Sequence, residues 1–148
     1  MDKEKALAKV GLFENLNPKF LRGIAGIATE RTFKPGEFLM KQGESGIGLF
    51  IILSGKVSIE KNDASGRRVE LAENGPGDLM GEMTVFDGAP RSASVVAVVE
   101  TVCLVLASWE FNSFLKAHPE AAIDLIPIIV KRFRETNDAL TGLNSVKN

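Results

Sequence analysis

Ten of the 14 glycines fall between residues 32 and 106, where they divide the chain into short β-rich runs. The runs are Phe38–Lys41, Leu49–Leu53, Val57–Lys61, Val69–Ala72, Ser94–Val99 and Val102–Leu106. The stretch Asn62-Asp63-Ala64-Ser65-Gly66 separates two runs of alternating polar and apolar residues, and it predicts a hairpin turn. Many short strands joined by glycine turns are typical of a β-sandwich or β-barrel of the jelly-roll type.

Helical patterns flank this β segment on both sides. Asn17-Pro18 is a helix-start signal. After the β segment, Ser108 is expected to cap a short helix, and His118-Pro119-Glu120 is expected to open a longer one. The chain is therefore predicted to be one domain over 1–148. Its parts are helices over about 1–30, the β segment over 31–107 and C-terminal helices over 108–148.

The long C-terminal helix carries an apolar seam. Its members recur at steps of three and four: Ile126, Ile129, Phe133, Thr136, Leu140 and Leu143. A seam of this spacing is typical of a helix that pairs with another helix. Two interpretations stay open, since the seam spans under three heptads: the helix packs on its own β domain, or it pairs with a second copy or a protein partner.

Composition and charge exclude several classes of protein. A hydrophobic content of 45% and a charged content of 25% are ordinary for a globular protein. The net charge of −1 disfavours nucleic-acid binding by this chain alone, because such binders usually carry a basic excess. One cysteine and one histidine form neither an internal disulfide nor a Cys/His metal site. No signal peptide or membrane span is apparent, so we expect a cytoplasmic protein without a membrane partner.

Catalytic signatures are missing as well. No G-x-S-x-G elbow occurs, and the glycines at 75, 77 and 81 miss the dinucleotide-binding spacing. Cys103 lies in an apolar run and is expected to be a core residue. We therefore expect no catalytic residue, no metal and no enzymatic activity.

One segment, residues 77–94, carries a combination of groups suited to a ligand. Gly81 permits close approach of the backbone, and a helical turn after it would present unpaired N–H groups to an anion. Arg91 can form charge-assisted hydrogen bonds to a phosphate, Ser92 adds a hydroxyl, and Glu82 can accept a hydrogen bond from a sugar hydroxyl. A 3′,5′-cyclic nucleotide meets this specification. The alternative is a surface ion pair between Glu82 and Arg91 around a tight loop.

The same segment resembles the phosphate-binding cassette of the cyclic nucleotide-binding domain family. The matching residues are Gly81-Glu82-Met83-Thr84-Val85 and Pro90-Arg91-Ser92-Ala93-Ser94. Upstream blocks match too: Lys34-Pro35-Gly36-Glu37, Gln42–Gly46, Phe50–Val57 and Gly75–Asp78. The resemblance covers about residues 12 to 140. It implies a mainly β fold, in which an eight-stranded, jelly-roll-like β-roll holds a short phosphate-binding helix. N-terminal helices precede the roll, and a C-terminal lid or dimer helix follows it.

The resemblance implies a role for individual residues. Glu82 would accept the ribose 2′-hydroxyl, Arg91 and Ser92 would bind the cyclic phosphate, and Gly81 would permit close approach. Backbone N–H groups near Met83 and Ala93 would complete the phosphate site. Ile59 and Leu71 would pack against the base.

The stretch 131–137 resembles the C-terminal helix of the bacterial catabolite activators. This likeness adds Arg132, Thr136 and Asn137 to the base pocket. For Thr136 the alternative is a tolerated polar member of the seam.

Three residues depart from the family pattern: Ile47 replaces an acidic residue, Met80 replaces Phe or Ile, and Asn74 replaces an apolar residue. The last change predicts a wetter pocket on the side of the base.

The predicted function is a stand-alone cyclic-nucleotide sensor that signals through movement of its C-terminal helix. Only five residues follow Leu143, which is too few for a helix-turn-helix. cAMP is favoured over cGMP, because a serine follows the arginine here, as it does in the bacterial cAMP-binding members that the segment resembles. Two alternatives are the sensor portion of a transcription regulator without its DNA-binding part, and a degenerate β-roll that serves only protein–protein contacts.

Overall fold

A computed structural model describes the backbone of residues 2–45, 48–82 and 90–147, and their side chains except those of 136 and 139–147. The helices are α1 (Lys3–Ala8), a 3₁₀ turn (Gly11–Phe13), α2 (Pro18–Ile27), α3 (Ser108–Ala117) and α4 (Pro119–Lys147). The strands are β1 (Thr29–Phe33), β2 (Phe38–Met40), β3 (Gly48–Ser54), β4 (Val57–Asn62), β5 (Arg68–Asn74), β6 (Leu79–Met80), β7 (Ser94–Ala97) and β8 (Thr101–Ala107).

The strands form two four-stranded antiparallel sheets, in the orders β1-β8-β3-β6 and β2-β7-β4-β5. This arrangement confirms the predicted eight-stranded β-roll with flanking helices. Two of its strands were not among the predicted runs. In Thr29–Phe33 only the last residue is buried, so the strand lacks an apolar alternation. Leu79–Met80 has only two residues and is defined by its pairing with Ile51 and Phe50.

The hairpin between β4 and β5 has the predicted turn. Asp63 organises it, because its Oδ1 accepts hydrogen bonds from the backbone N–H groups of Ser65 and Arg67, each at 2.9 Å. The Ser65 hydroxyl donates to the same oxygen at 2.7 Å, and these bonds lower the pKa of Asp63. Gly66 takes the positive φ of 83° that closes the turn.

Two apolar clusters lie on opposite faces of one sheet. Alternate residues of β3 point to different clusters: Leu49 and Ile51 pack with the helices, whereas Phe50 and Ile52 face the inside of the roll. Strand β8 divides its side chains in the same way. Because both faces of β3 are buried, its sequence is a continuous apolar run and not an alternating one.

Helix α2 begins as predicted, since the Asn17 side chain accepts a hydrogen bond from the Lys19 backbone at 2.9 Å. The predicted cap of α3 is wrong. Ala107 is the capping residue with extended backbone, and Ser108 is already inside the helix. Its Oγ is buried without a partner in the described part of the chain. A capping side chain must stand one residue earlier, where the backbone is not yet helical.

Among its described side chains, helix α4 contributes to the apolar core near its start. Ala121 and Leu125 are buried in the cluster formed with the other helices, and Ile128 is partly buried there. In contrast, Ile126 and Ile129 of the predicted seam are exposed, as is Phe133, whose side chain is 65% accessible. The side chains of Thr136, Leu140 and Leu143 lie outside the described residues. The described part of the seam therefore does not pack on its own roll.

Within the described ranges, none of the helices has the length and the apolar character that crossing a membrane requires.

Candidate ligand-binding site

A cleft of about 230 Å³ opens between the inner face of the β2-β7-β4-β5 sheet and the chain around β6. Its apolar lining comes mostly from the strands, and its charged lining from the segments that flank residues 83–89. The lining residues are Met40, Ile59, Asn74, Leu79, Met80, Gly81, Glu82, Arg91, Ser92, Ala93 and Val95. An apolar cleft with a few convergent polar groups is the usual form of a small-molecule site.

Arg91 is the most constrained polar group of the cleft. Its side chain is only 4% exposed, and its guanidinium donates hydrogen bonds to the carbonyl oxygens of Gly48 at 2.7 Å and Gly81 at 3.1 Å. The backbone of Arg91 is also fixed, because it exchanges hydrogen bonds with Gly43 and Glu44. The buried Nε has no partner among the residues that the structure describes.

Burial lowers the pKa of the Arg91 guanidinium, because removal from water disfavours the charged form, and the negative charge of Glu82 partly opposes this effect. Arginine nevertheless stays protonated. The cleft therefore holds a buried positive charge in a fixed orientation, and its Nε–H, which has no partner among the described residues, is available to a ligand.

Close packing of the backbone makes this arrangement possible. Gly81 has a φ of +88°, and a Cβ placed there would lie 2.5 Å from Nη1 of Arg91 and 2.7 Å from the Gly48 oxygen. A Cβ at Gly48 would overlap the carbonyl group of Leu106 in the neighbouring strand. Two glycines thus let two carbonyl groups converge on one guanidinium.

Glu82 links the cleft to the C-terminal helix. One of its carboxylate oxygens lies 3.8 Å from a guanidinium nitrogen of Arg132 on α4. The two side chains are 26% and 44% exposed, so the pair is accessible to water and weak.

Comparison with known proteins identifies the family. Residues 30–118 match the family described as the cyclic nucleotide-binding domain. The chain belongs to the cyclic nucleotide-binding domain family. Within this family it is similar to domains of catabolite-activator-type regulators.

Three relatives illustrate the likeness. The CRP-like cAMP-activated global transcriptional regulator of Mycobacterium tuberculosis (strain H37Rv) is 30% identical over 140 residues, which are 95% of this chain and 62% of that protein. The N-terminal domain of a transcriptional regulator from Streptomyces coelicolor A3(2) has a TM-score of 0.81 at 32% identity, over 91% of this chain and 94% of that one. The Thermus thermophilus catabolite activator protein has a TM-score of 0.75 at 32% identity, over 90% and 63%. The chain thus spans about 62% of the length of the curated M. tuberculosis relative.

The structure brings most of the predicted cyclic-nucleotide contacts to one place. Gly81, Glu82, Arg91, Ser92 and Ala93 all line the cleft, together with Ile59. Arg132 approaches the cleft through Glu82.

Other predicted residues are placed differently or lie outside the description. Leu71 is 57% exposed, next to a register shift in the edge strand β5, and it is not part of the cleft lining. Asn137 is exposed on α4. Met83, the helical turn expected after Gly81 and the departure at Ile47 fall outside the described residues, as does the Thr136 side chain.

Several lining residues were not predicted. Met40 and Val95 lie opposite each other in the ladder of β2 and β7, and Leu79 comes from the two-residue β6. The Gly48 carbonyl that holds Arg91 was also missed. A glycine at the start of an apolar strand indicates that another group approaches the backbone closely. It does not indicate which side chain that group belongs to.

Among the described residues, His, Cys, Asp and Glu side chains form no group of three that could hold a metal ion.

Proposed function

We propose that this cleft binds a 3′,5′-cyclic nucleotide, with cAMP preferred over cGMP, and that binding changes the position of α4. The observation that carries the proposal is Arg91: a guanidinium that is 4% exposed, held by two carbonyl groups, with a free Nε. Glu82 offsets this charge only in part, and a buried charge that is not fully paired costs several kcal/mol, so an anion at this position is favoured.

The single positive charge of Arg91 supports a ligand with one negative charge, such as a cyclic phosphate. Among the described residues, the cleft lining contains one cationic side chain, Arg91, and one acidic side chain, Glu82. A single negative charge matches Arg91, whereas a polyphosphate would leave charges unpaired. Ser92 lines the same part of the cleft and supplies a hydroxyl donor, and the backbone of Ala93 follows it. The contribution of Met83 to the phosphate site stays a prediction.

Glu82 is the proposed ribose ligand. A carboxylate only accepts hydrogen bonds, so it repels a phosphate and suits the 2′-hydroxyl. Ile59 and Val95 offer apolar surface to the sugar and the base. The preference for cAMP is supported by Ser92 and by the M. tuberculosis relative, which is described as cAMP-activated.

The signal would pass from Glu82 to α4. A ribose hydroxyl that donates to the Glu82 carboxylate competes with Arg132, so nucleotide binding would rearrange the pair that ties α4 to the cleft. Ligand then favours one position of the helix over another. The exposed seam of Ile126, Ile129 and Phe133 would pair with a second copy of the chain or with a protein partner in one of these positions.

A second candidate is the sensor portion of a longer transcription regulator, supported by the greater length of the M. tuberculosis relative. In both cases the cleft binds a ligand and catalyses no reaction.

Isothermal titration calorimetry with cAMP, cGMP and 2′-deoxy-cAMP tests the binding proposal. Glu82→Ala should weaken cAMP binding about tenfold or more, because hydrogen bonds to charged groups contribute roughly 1.5–3 kcal/mol. On the wild type, 2′-deoxy-cAMP should show a similar loss, and on Glu82→Ala it should bind as well as cAMP does. Glu100→Ala, which removes an exposed carboxylate before β8, should bind like the wild type.

Failure of the nucleotide-free wild type to bind either cyclic nucleotide would refute the proposal. Movement of α4 is measured separately, by energy transfer between dyes at position 2 and near the C-terminus. A ligand-dependent change in transfer is expected, and an unchanged signal at saturating cAMP would exclude signalling through the helix.

A further inference from the structure

Four polar side chains of the described residues line the cleft, and the proposed function uses three of them. Glu82, Arg91 and Ser92 hold the ribose and the phosphate. The fourth is Asn74, the last residue of β5, which reaches the cleft from a different strand.

The strand register places Asn74 on the inner face of the roll. Asn74 pairs with Val57 of β4, and directly opposed residues in an antiparallel ladder project to the same side. Val57 is fully buried in the core of the roll, and Ile59, two residues further along the same face, lines the cleft. Asn74 is half-buried, and its carboxamide has no hydrogen-bond partner in the described part of the chain.

The surroundings of this amide make a ligand partner favourable. Ile59, Leu79 and Val95 line the same cleft, and their side chains have no polar group to offer. A ligand that fills the cleft removes water from the Asn74 amide, and an amide left unpaired there costs roughly 1–3 kcal/mol. The ligand atoms that meet Asn74 should therefore carry both a donor and an acceptor.

We infer that Asn74 determines base specificity by hydrogen bonding to the N6 and N7 edge of adenine. This inference rests on the proposed function, in which Arg91 and Glu82 already hold the phosphate and the ribose and leave the base for Asn74. Adenine presents a donor at N6 beside an acceptor at N7, and a carboxamide complements this pair. Guanine presents two acceptors at O6 and N7, so the Asn74 oxygen would face an acceptor.

Calorimetric titration with base analogues tests this contact. The ligands are cAMP, cGMP, cyclic purine riboside monophosphate, which lacks the 6-amino group, and 7-deaza-cAMP, which lacks N7. The wild type should bind each analogue about tenfold more weakly than cAMP, since a good bidentate contact contributes roughly 1–3 kcal/mol of discrimination. Asn74→Leu should bind cAMP and both analogues within about twofold of one another, and its preference for cAMP over cGMP should fall about tenfold.

Asn74→Asp gives a second, shape-conserving test, with folding of both variants checked by circular dichroism. An aspartate keeps the acceptor and loses the N–H donor, so it should still discriminate against loss of the 6-amino group but no longer against loss of N7. Asn15→Leu, which changes an exposed asparagine before α2, should keep every wild-type ratio.

The two levels of the argument fail differently. If the wild type binds cAMP but Asn74→Leu keeps the wild-type ratios, the inference about Asn74 is refuted and the proposed function stands. If the wild type binds no cyclic nucleotide, both are refuted.

Discussion

Replacing Gly81 by alanine tests whether close backbone packing holds the Arg91 guanidinium in place. Gly36→Ala is the matched control, because Gly36 has the same φ of +88° but nothing within 4 Å of an added Cβ. Both substitutions force alanine into the left-handed region, at a cost of roughly 1–2 kcal/mol in the free energy of unfolding. Any difference between the two variants then reports the crowding at Gly81.

A Cβ added at Gly81 would overlap two groups, of which one can move and the other is held in a strand. An added Cβ lies 2.7 Å from the Gly48 oxygen, which belongs to a paired strand, and 2.5 Å from Nη1 of Arg91, the end of a side chain. Displacement of the guanidinium relieves the overlap most easily. The free energy of unfolding of Gly81→Ala should therefore fall by a further amount of roughly 1–3 kcal/mol, which is the usual cost of overpacking. It should also lose about 2 kcal/mol of cAMP binding, about thirtyfold, because a buried charged partner of the phosphate has moved.

Urea denaturation followed by circular dichroism measures the free energies of unfolding, and calorimetric titration with cAMP measures the affinities. Gly36→Ala should bind cAMP like the wild type. If Gly81→Ala and Gly36→Ala bind cAMP equally well, Gly81 does not set the position of Arg91, and the reasoning is wrong.

Three further predictions concern the roll and its helix. Phe50→Ala should lower the free energy of unfolding by roughly 3–5 kcal/mol, since the ring is fully buried and packs on Phe33; a loss below 1 kcal/mol in urea would contradict this packing. Burial raises the pKa of the Cys103 thiol from 9.0 to about 11, so the free energy of unfolding should fall as the pH rises through this interval, because the unfolded chain loses the proton first. Cys103→Ala should lack that part of the decline. Arg132→Ala should change the free energy of unfolding by less than about 1 kcal/mol, with the difference shrinking at high salt; a larger, salt-independent loss would show that Arg132 has a packing role.

Local sequence signals predicted most of the elements of the fold. The short β-rich runs between glycines predicted six of the eight strands, and the composition of residues 62–66 predicted the β4–β5 hairpin. Strand β1 was not predicted, because it lies at the edge of its sheet with only one residue buried and therefore lacks an apolar pattern. The α3 cap was misplaced by one residue, because capping depends on where the backbone becomes helical and not on the residue type alone.

In the candidate site too, the sequence predicted the residues that lie close together in the chain better than those on distant strands. Gly81, Glu82, Arg91, Ser92 and Ala93 are close in sequence, so one motif names them all, and they do line one cleft. The far wall comes from strands distant in the chain. Leu71 and Asn74 lie three residues apart on the same strand, yet Leu71 is exposed beside a register shift and Asn74 faces the cleft.

The sequence by itself determined the β-roll class, the order of its elements and the groups available for a phosphate and a sugar. These features depend on residue type and on short spacings, which local sterics and hydrogen bonding already dictate. Only the tertiary structure decided that the Gly48 carbonyl holds Arg91, that Glu82 reaches Arg132 and that Asn74 faces the cleft. The first two contacts join segments that are distant in the chain, and the side to which Asn74 points depends on its pairing with Val57, so all three depend on strand register and helix docking.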